Sequence, residues 1–276
     1  MTTWTIRFKL NRASHLDAHR EEDGIRASVQ IASDALRVEN IPANSEGAAR
    51  AVAEPFANQF LDTLAYKHDE PLQILPLPWA SKRTAQSGAR VVGEHLGHAV
   101  SFRGSVALKK IDAQGNVVEA YDSDRPGSIE VKASEAAPYY RRGSLSADPF
   151  DQFRNFYLVA ENVADQIRAP KQPEKPNEQT PLSNALARCF ADNTGPLLGK
   201  ARVVPGFTES GDAFKAVAKL LYKAYRCQLA HAKAQESKKV PFNPDDEKTV
   251  KKALPLMRFV AKSLLDYEGN HLQQKE

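Results

Sequence analysis

The hydrophobic repeat of this chain changes once, from every second residue to every third or fourth, and that change constrains its architecture more than any other feature. Near the start, Trp4, Ile6, Phe8 and Leu10 alternate with Thr5, Arg7 and Lys9, the spacing of a half-buried strand. Ile25, Ala27, Val29 and Ile31 repeat it, as do Val100, Phe102, Val106 and Leu108 around Gly104. Gln114-Gly115-Asn116 reads as a turn into Val117 and Val118. One helix interrupts these strands, with Ser45 as its cap and Ala49, Val52, Ala53, Phe56, Phe60 and Leu64 on its apolar stripe. Pro55 inside it predicts a kink or a later start.

After about residue 132 the pattern is helical. Residues 133–148 are small, polar and irregular, and they end in Asp148-Pro149, a cap followed by proline at the first helical position. Phe150, Phe153, Tyr157, Ala160, Ala164 and Ile167 then recur at three-four spacing. Four prolines between Ala169 and Pro181 predict an exposed loop. A short helix carries Leu182, Leu186, Cys189 and Phe190, and a long basic one starts at Asp212. The last helix starts at Asn243-Pro244, bends at Pro255 and stops before Gly269. Strands segregated from helices argue for two domains: an α+β domain over 1–145, and an all-α bundle of four to five helices over 146–276.

Charge is uneven along the chain. The whole sequence has 38 Lys+Arg against 34 Asp+Glu, yet residues 212–239 hold seven basic residues and only Asp212 and Glu236 as acids. There Phe214, Val217, Ala218, Leu221, Tyr225 and Leu229 form one stripe, while Lys215, Lys219, Lys223, Arg226 and Lys233 gather on another face, which suits a phosphate backbone.

Near the end of that helix stands Arg226-Cys227-Gln228-Leu229-Ala230-His231. Metal-free RNA cleavage needs a group that exchanges protons near neutral pH and a cation against the charge on the phosphorane. His231 supplies the first and Arg226 the second. On an ideal helix the two are about 140° and roughly 7.5 Å apart, so they flank the apolar stripe, and a two-fold axis beside the helix completes the site.

The opening helix Phe150–Glu161, followed by Tyr225-Arg226 and His231-Ala232-Lys233, resembles the HEPN superfamily of small helical ribonucleases over roughly residues 146–268. That resemblance implies a helical bundle, dimerisation with facing Arg/His motifs, and a polar contribution from the first helix, for which Asn155 and Glu161 are the candidates. It departs at Cys227, where the family commonly has Asn, Asp or His. Tyr222, one turn before Arg226, is placed to touch a phosphate or to pack.

Other chemistries find little support. His15 and His19 lie in a segment that reads as a solvated loop, and His95 and His98 have no third ligand, so no metal is expected. There is no Gly-x-Gly-x-x-Gly, Walker loop or Gly-x-Ser-x-Gly elbow, and no cofactor is expected. Cys189 and Cys227 form no Cys-x2-Cys pair and read as reduced thiols. No run of eighteen apolar residues occurs, and Met1–Thr5 lacks a signal-peptide core, which predicts a cytoplasmic protein without membrane contact.

Two function classes follow. One is a metal-independent endoribonuclease of a stress or phage-defence system, working on RNA as a homodimer. The other is a non-catalytic RNA-binding or dimerising scaffold. Labels carried by some HEPN-like chains with an N-terminal α+β domain add a further role, as accessory protein of an amine-utilisation operon.

Overall fold

A computed structural model describes residues 2–85, 108–111, 117–121, 134–167, 179–230 and 243–271. Residue contacts divide the chain into Met1–Glu130 and Val131–Glu276.

The first unit contains a five-stranded antiparallel sheet: β1 (Thr2–Leu10), β2 (Ala18–Glu22), β3 (Ile25–Val29), β4 (Ala35–Pro42) and β5 (Ile74–Ala85), in the order β2-β3-β4-β1-β5. Alternation sets its faces. Ile6 pairs with Val38 and Phe8 with Leu36, and these four are buried beside Ala27 and Val29. Helix α1 (Glu46–His68) covers that face with Ala49, Ala53, Ala57, Phe60, Leu61 and Leu64. Burying each larger side chain contributes roughly 1.5–3 kcal/mol. Ser45 caps α1 as expected, accepting from the Ala48 N–H at 3.2 Å. The helix runs through Pro55 without ending.

The region around His19 is a correction to the sequence reading. Ala18–Glu22 is edge strand β2, joined to β3 by Asp23-Gly24, both at positive φ (50° and 77°). That is the backbone a two-residue hairpin turn requires, and glycine supplies it without steric cost. In a strand, His19 is not one helical turn from His15, and no metal-ligand cluster occurs among the described residues. The second sheet pairs β6 (Leu108–Ile111) with β7 (Val117–Tyr121). The expected strand over Val100–Val106, the turn at Gln114-Gly115-Asn116, and His95 and His98 lie outside the described residues.

Seven helices are described in the second unit, more than the four or five expected: α2 (Ala137–Leu145), α3 (Pro149–Gln166), α4 (Gln179–Cys189), α5 (Gly195–Ala201), α6 (Ala213–Lys219), α7 (Cys227–Ala230) and α8 (Pro244–His271). α3 is central. Its buried residues Phe150, Phe153, Phe156, Tyr157, Val159, Ala160 and Val163 meet α8, α2 and α4. Asp148 caps it from the Phe150 and Asp151 N–H groups, ahead of Pro149. α8 contributes Val250, Ala253, Leu256, Met257, Val260, Ala261 and Leu264, and continues through both Pro255 and Gly269.

The segment read as irregular contains α2. Only three of its residues are buried, Ala137, Tyr140 and Gly143, which is why its apolar signal is faint. A Cβ at Gly143 would stand 3.0 Å from the Phe156 ring, so the missing side chain is what lets α2 approach α3. Most of the expected proline-rich loop, residues 168–178, lies outside the described residues.

Glu268 near the end of α8 is buried and accepts a 2.6 Å hydrogen bond from the Ser134 hydroxyl, tying the approach to α2 to the last helix. Burial pushes its carboxyl above the ordinary value of 4.5, against the opposing hydrogen bond. A raised folded-state pKa means stability that is complete below 4.5 and lost as pH rises through the folded value. Glu268→Gln is therefore expected to melt higher than wild type at pH 7.5 and to lose part of the decline above pH 4.5, measured as Tm against pH; parallel curves contradict it. Phe153→Ala should cost about 3–5 kcal/mol in urea unfolding, because a fully buried ring leaves a cavity at the centre of the unit.

Candidate functional site

The basic helix is not one continuous α-helix. α6 is followed by a π-helical segment, Leu220–Arg226, before α7 resumes. The Cys227 N–H reaches back to the Tyr222 carbonyl, an i→i−5 bond. Each residue of so wide a turn advances less than the 100° of an α-helix, so Leu220, Leu221 and Tyr225 are all buried, and the chain's phase has shifted by Arg226.

Tyr225 anchors the segment. Its ring lies 5.4 Å from that of Phe153 on α3, and its hydroxyl donates to the Pro205 carbonyl at 3.2 Å. Burial pushes the phenol up to about 12. With Tyr225 fixed, the adjacent Arg226 is held along α3. Its guanidinium carbon is 6.0 Å from the Tyr157 ring centroid and 5.9 Å from that of Tyr222. Its Nη2 stands 3.7 Å from Glu161 Oε1. A guanidinium between two aromatic faces, with a carboxylate beside it, is partly desolvated and held from three sides.

Arg226, Tyr222 and Glu161 thus come together. Asn155 does not join them: it is buried, its amide donates to the Asp151 carbonyl at 2.7 Å, and its Cβ lies against Gly143 of α2. Cys227 is half-buried and free. Lys215, Lys219 and Lys223 are exposed along α6 and the π segment, with Lys215 paired to Asp212 at 3.2 Å. His231 and Lys233 lie outside the described residues. Tyr157 escaped the sequence reading because it falls on the apolar stripe of α3, where a buried tyrosine and a ring beneath a cation look alike.

Beside Arg226 opens a cleft of about 510 Å³, between the approach to α2, the last turns of α3 and the start of α4. Three carboxylates line it, those of Glu135, Glu161 and Asp165, with the rings of Tyr139 and Tyr157, and no lysine, arginine or histidine is among its described lining residues. Among the described residues, the charged groups of its lining are therefore acidic. No helix among the described residues is long and apolar enough to cross a membrane.

Residues 136–266 match a family model described as methylamine utilization protein MauJ. No curated protein and no solved structure matches the chain. The matched span covers α2, α3, Arg226 and nearly all of α8, and leaves Met1–Glu130 outside it.

The contact between Arg226 and Glu161 is partly open to water, with side chains 25% and 36% exposed. A double-mutant cycle with Arg226→Ala and Glu161→Ala should therefore give a coupling of about 1 kcal/mol or less in unfolding free energy. A coupling of several kcal/mol means a desolvated pair and contradicts this geometry.

Proposed function

We propose that this chain is a non-catalytic accessory protein of amine utilisation, and that residues 131–276 carry the role. The observation that supports it is the family match, which falls on this helical unit and runs through the segment bearing Arg226. The site agrees with it. Arg226 is already engaged by Glu161, Tyr157 and Tyr222, and the adjoining cleft is acidic, so a phosphorane at Arg226 meets competition from a carboxylate and repulsion from two more.

Deleting the gene in the organism that carries it should slow growth on methylamine as sole nitrogen or carbon source and leave growth on ammonium plus succinate unchanged. Restoration by wild type, and equally by His231→Ala, supports an accessory role without proton-transfer chemistry. Normal growth of the deletion strain on methylamine overturns it.

A second reading rests on the exposed row Lys215, Lys219 and Lys223 leading to Arg226. Under it the unit is a HEPN-type, metal-independent endoribonuclease acting as a homodimer, with His231 as acid/base and Arg226 as phosphate clamp, and Lys233 on the RNA path. Purified protein incubated with total RNA in EDTA separates the two. The accessory reading expects no fragments ending in 2′,3′-cyclic phosphate that depend on Arg226 and His231. Cleavage abolished by Arg226→Ala and by His231→Ala establishes the ribonuclease instead.

A further inference from the structure

We infer that the face of the five-stranded sheet turned away from α1 carries an anion site for a phosphate monoester, built on Arg7, Arg37 and Arg26. Strand pairing fixes the arrangement. Ile6, Phe8, Leu36 and Val38 lie under α1, so by alternation Arg7 and Arg37 stand on the opposite face. These two are directly opposed across β1 and β4, which places their Cβ atoms about 4.5–5.5 Å apart. On β3, Ala27 and Val29 are buried, and Arg26 and Ser28 share the outer face with the pair. Ser28 is in register with Arg37 and Arg26 with Glu39, which makes Arg26 the diagonal neighbour of Arg37. Ser28, and Ala35 two residues before Arg37, are short and leave the space above the guanidinium groups open.

Two independent observations separate this face from ordinary solvated surface. The first is the register: like charges directly opposed on a ladder are destabilising, and the backbone holds Arg7 and Arg37 in that position. The second is Arg26, whose Nε is buried with no hydrogen-bond partner. A donor left unmet in that way costs free energy until an acceptor reaches it. Neither Arg26 nor Arg7 makes a hydrogen bond or ion pair among the described residues. Arg37 has Glu39 at 3.6 Å, beyond hydrogen-bond distance and open to water, so its fork remains available, whereas Lys9 is bound by Asp34. The positive field reaches β2, where burial first and Arg26 second hold the His19 imidazole below its ordinary value of 6.5. Charge selects the ligand. A phosphate monoester carries about −1.5 to −2 at neutral pH with three acceptor oxygens, enough for two guanidinium forks, while a carboxylate brings one charge and two oxygens. Single-stranded nucleic acid also asks for rings on which bases stack, and no phenylalanine, tyrosine or tryptophan stands on this face among the described residues of β1–β4. The site lies in Met1–Glu130, outside the matched span 136–266, so it goes beyond the accessory reading and does not depend on it.

The test titrates glycerol 3-phosphate into the full-length protein at constant ionic strength, followed by the arginine Nε–H signals in NMR, with sodium acetate as the carboxylate arm. Saturable binding of the phosphate ester, about tenfold or more tighter than acetate, is expected. Arg7→Gln and Arg37→Gln should each weaken it about tenfold. Changing Lys215, Lys219 and Lys223 together to Gln should leave it unchanged, which separates a built site from general attraction to basic surface. The ester should also raise the Tm of wild type and not that of Arg7→Gln. If Arg37→Gln does not fold, Arg7→Gln and Arg26→Gln carry the test. Nα-acetyl-O-phosphoserinamide separates the sources: binding tenfold tighter than glycerol 3-phosphate assigns a phosphorylated side chain on a protein, and anything less assigns a free phosphate ester. Acetate binding as tightly, indifference to all three arginine substitutions, loss of binding in the triple lysine variant, or no saturable binding of either phosphate ester overturns the proposal.

Discussion

The position of Arg226 depends on one contact, the stacking of Tyr225 against Phe153 in the middle of α3. Both rings are fully buried, and the tyrosine hydroxyl is tied to the Pro205 carbonyl. An aromatic pair adds roughly 0.5–1.5 kcal/mol beyond the area it buries. More important is where it leaves the next residue. With Tyr225 locked against α3 by ring and hydroxyl together, Arg226 has little freedom and lies along the same helix, over Tyr157 and beside Glu161. The π turn accommodates the fit, placing Leu220, Leu221 and Tyr225 on the buried side while Lys219 and Lys223 stay in water. Such insertions occur often at functional sites, and here one decides which groups surround the arginine.

That placement changes the chemistry assigned to Arg226. In sequence it is one of five basic residues on a helix face, and an arginine with a histidine five residues on suggests phosphate. In the fold it is separated in environment from Lys215, Lys219 and Lys223, which are exposed, while its own guanidinium faces a carboxylate and two rings. Beyond it the wall is acidic. An arginine beside Glu161 and over two rings shares its charge with them, and Glu135 and Asp165 in the adjoining cleft raise the cost of bringing a phosphate in.

What the sequence discloses follows what local physics controls. Ser45, Asp148-Pro149 and Asn243-Pro244 mark helix starts because capping is a local hydrogen bond, and in each case the side chain accepts from the expected turn. Strands β1 and β3 follow from alternation. Asp23-Gly24 is also a local signal, a strong hairpin pair, but the charged residues before it suggested a loop and masked edge strand β2. Helix α2 is hidden for another reason: it buries Gly143 against Phe156, and a contact made by an absent side chain leaves no hydrophobic period. The π segment is hidden as well, since Val217, Leu221 and Tyr225 repeat every four residues, which suits either helix type over so short a span. Glu161 was visible as a polar residue on α3, but its partner depends on the phase shift and on tertiary packing.

The most direct test of this account is the NMR signal of the Arg226 side chain in the full-length protein. A guanidinium held over Tyr157 and Tyr222 places its Nε–H in the shielding cone of the rings, so its proton should resonate upfield of the exposed arginines and return toward them in Tyr157→Leu. An Arg226 Nε–H at the shift of a solvent-exposed arginine, unmoved by that substitution, contradicts it.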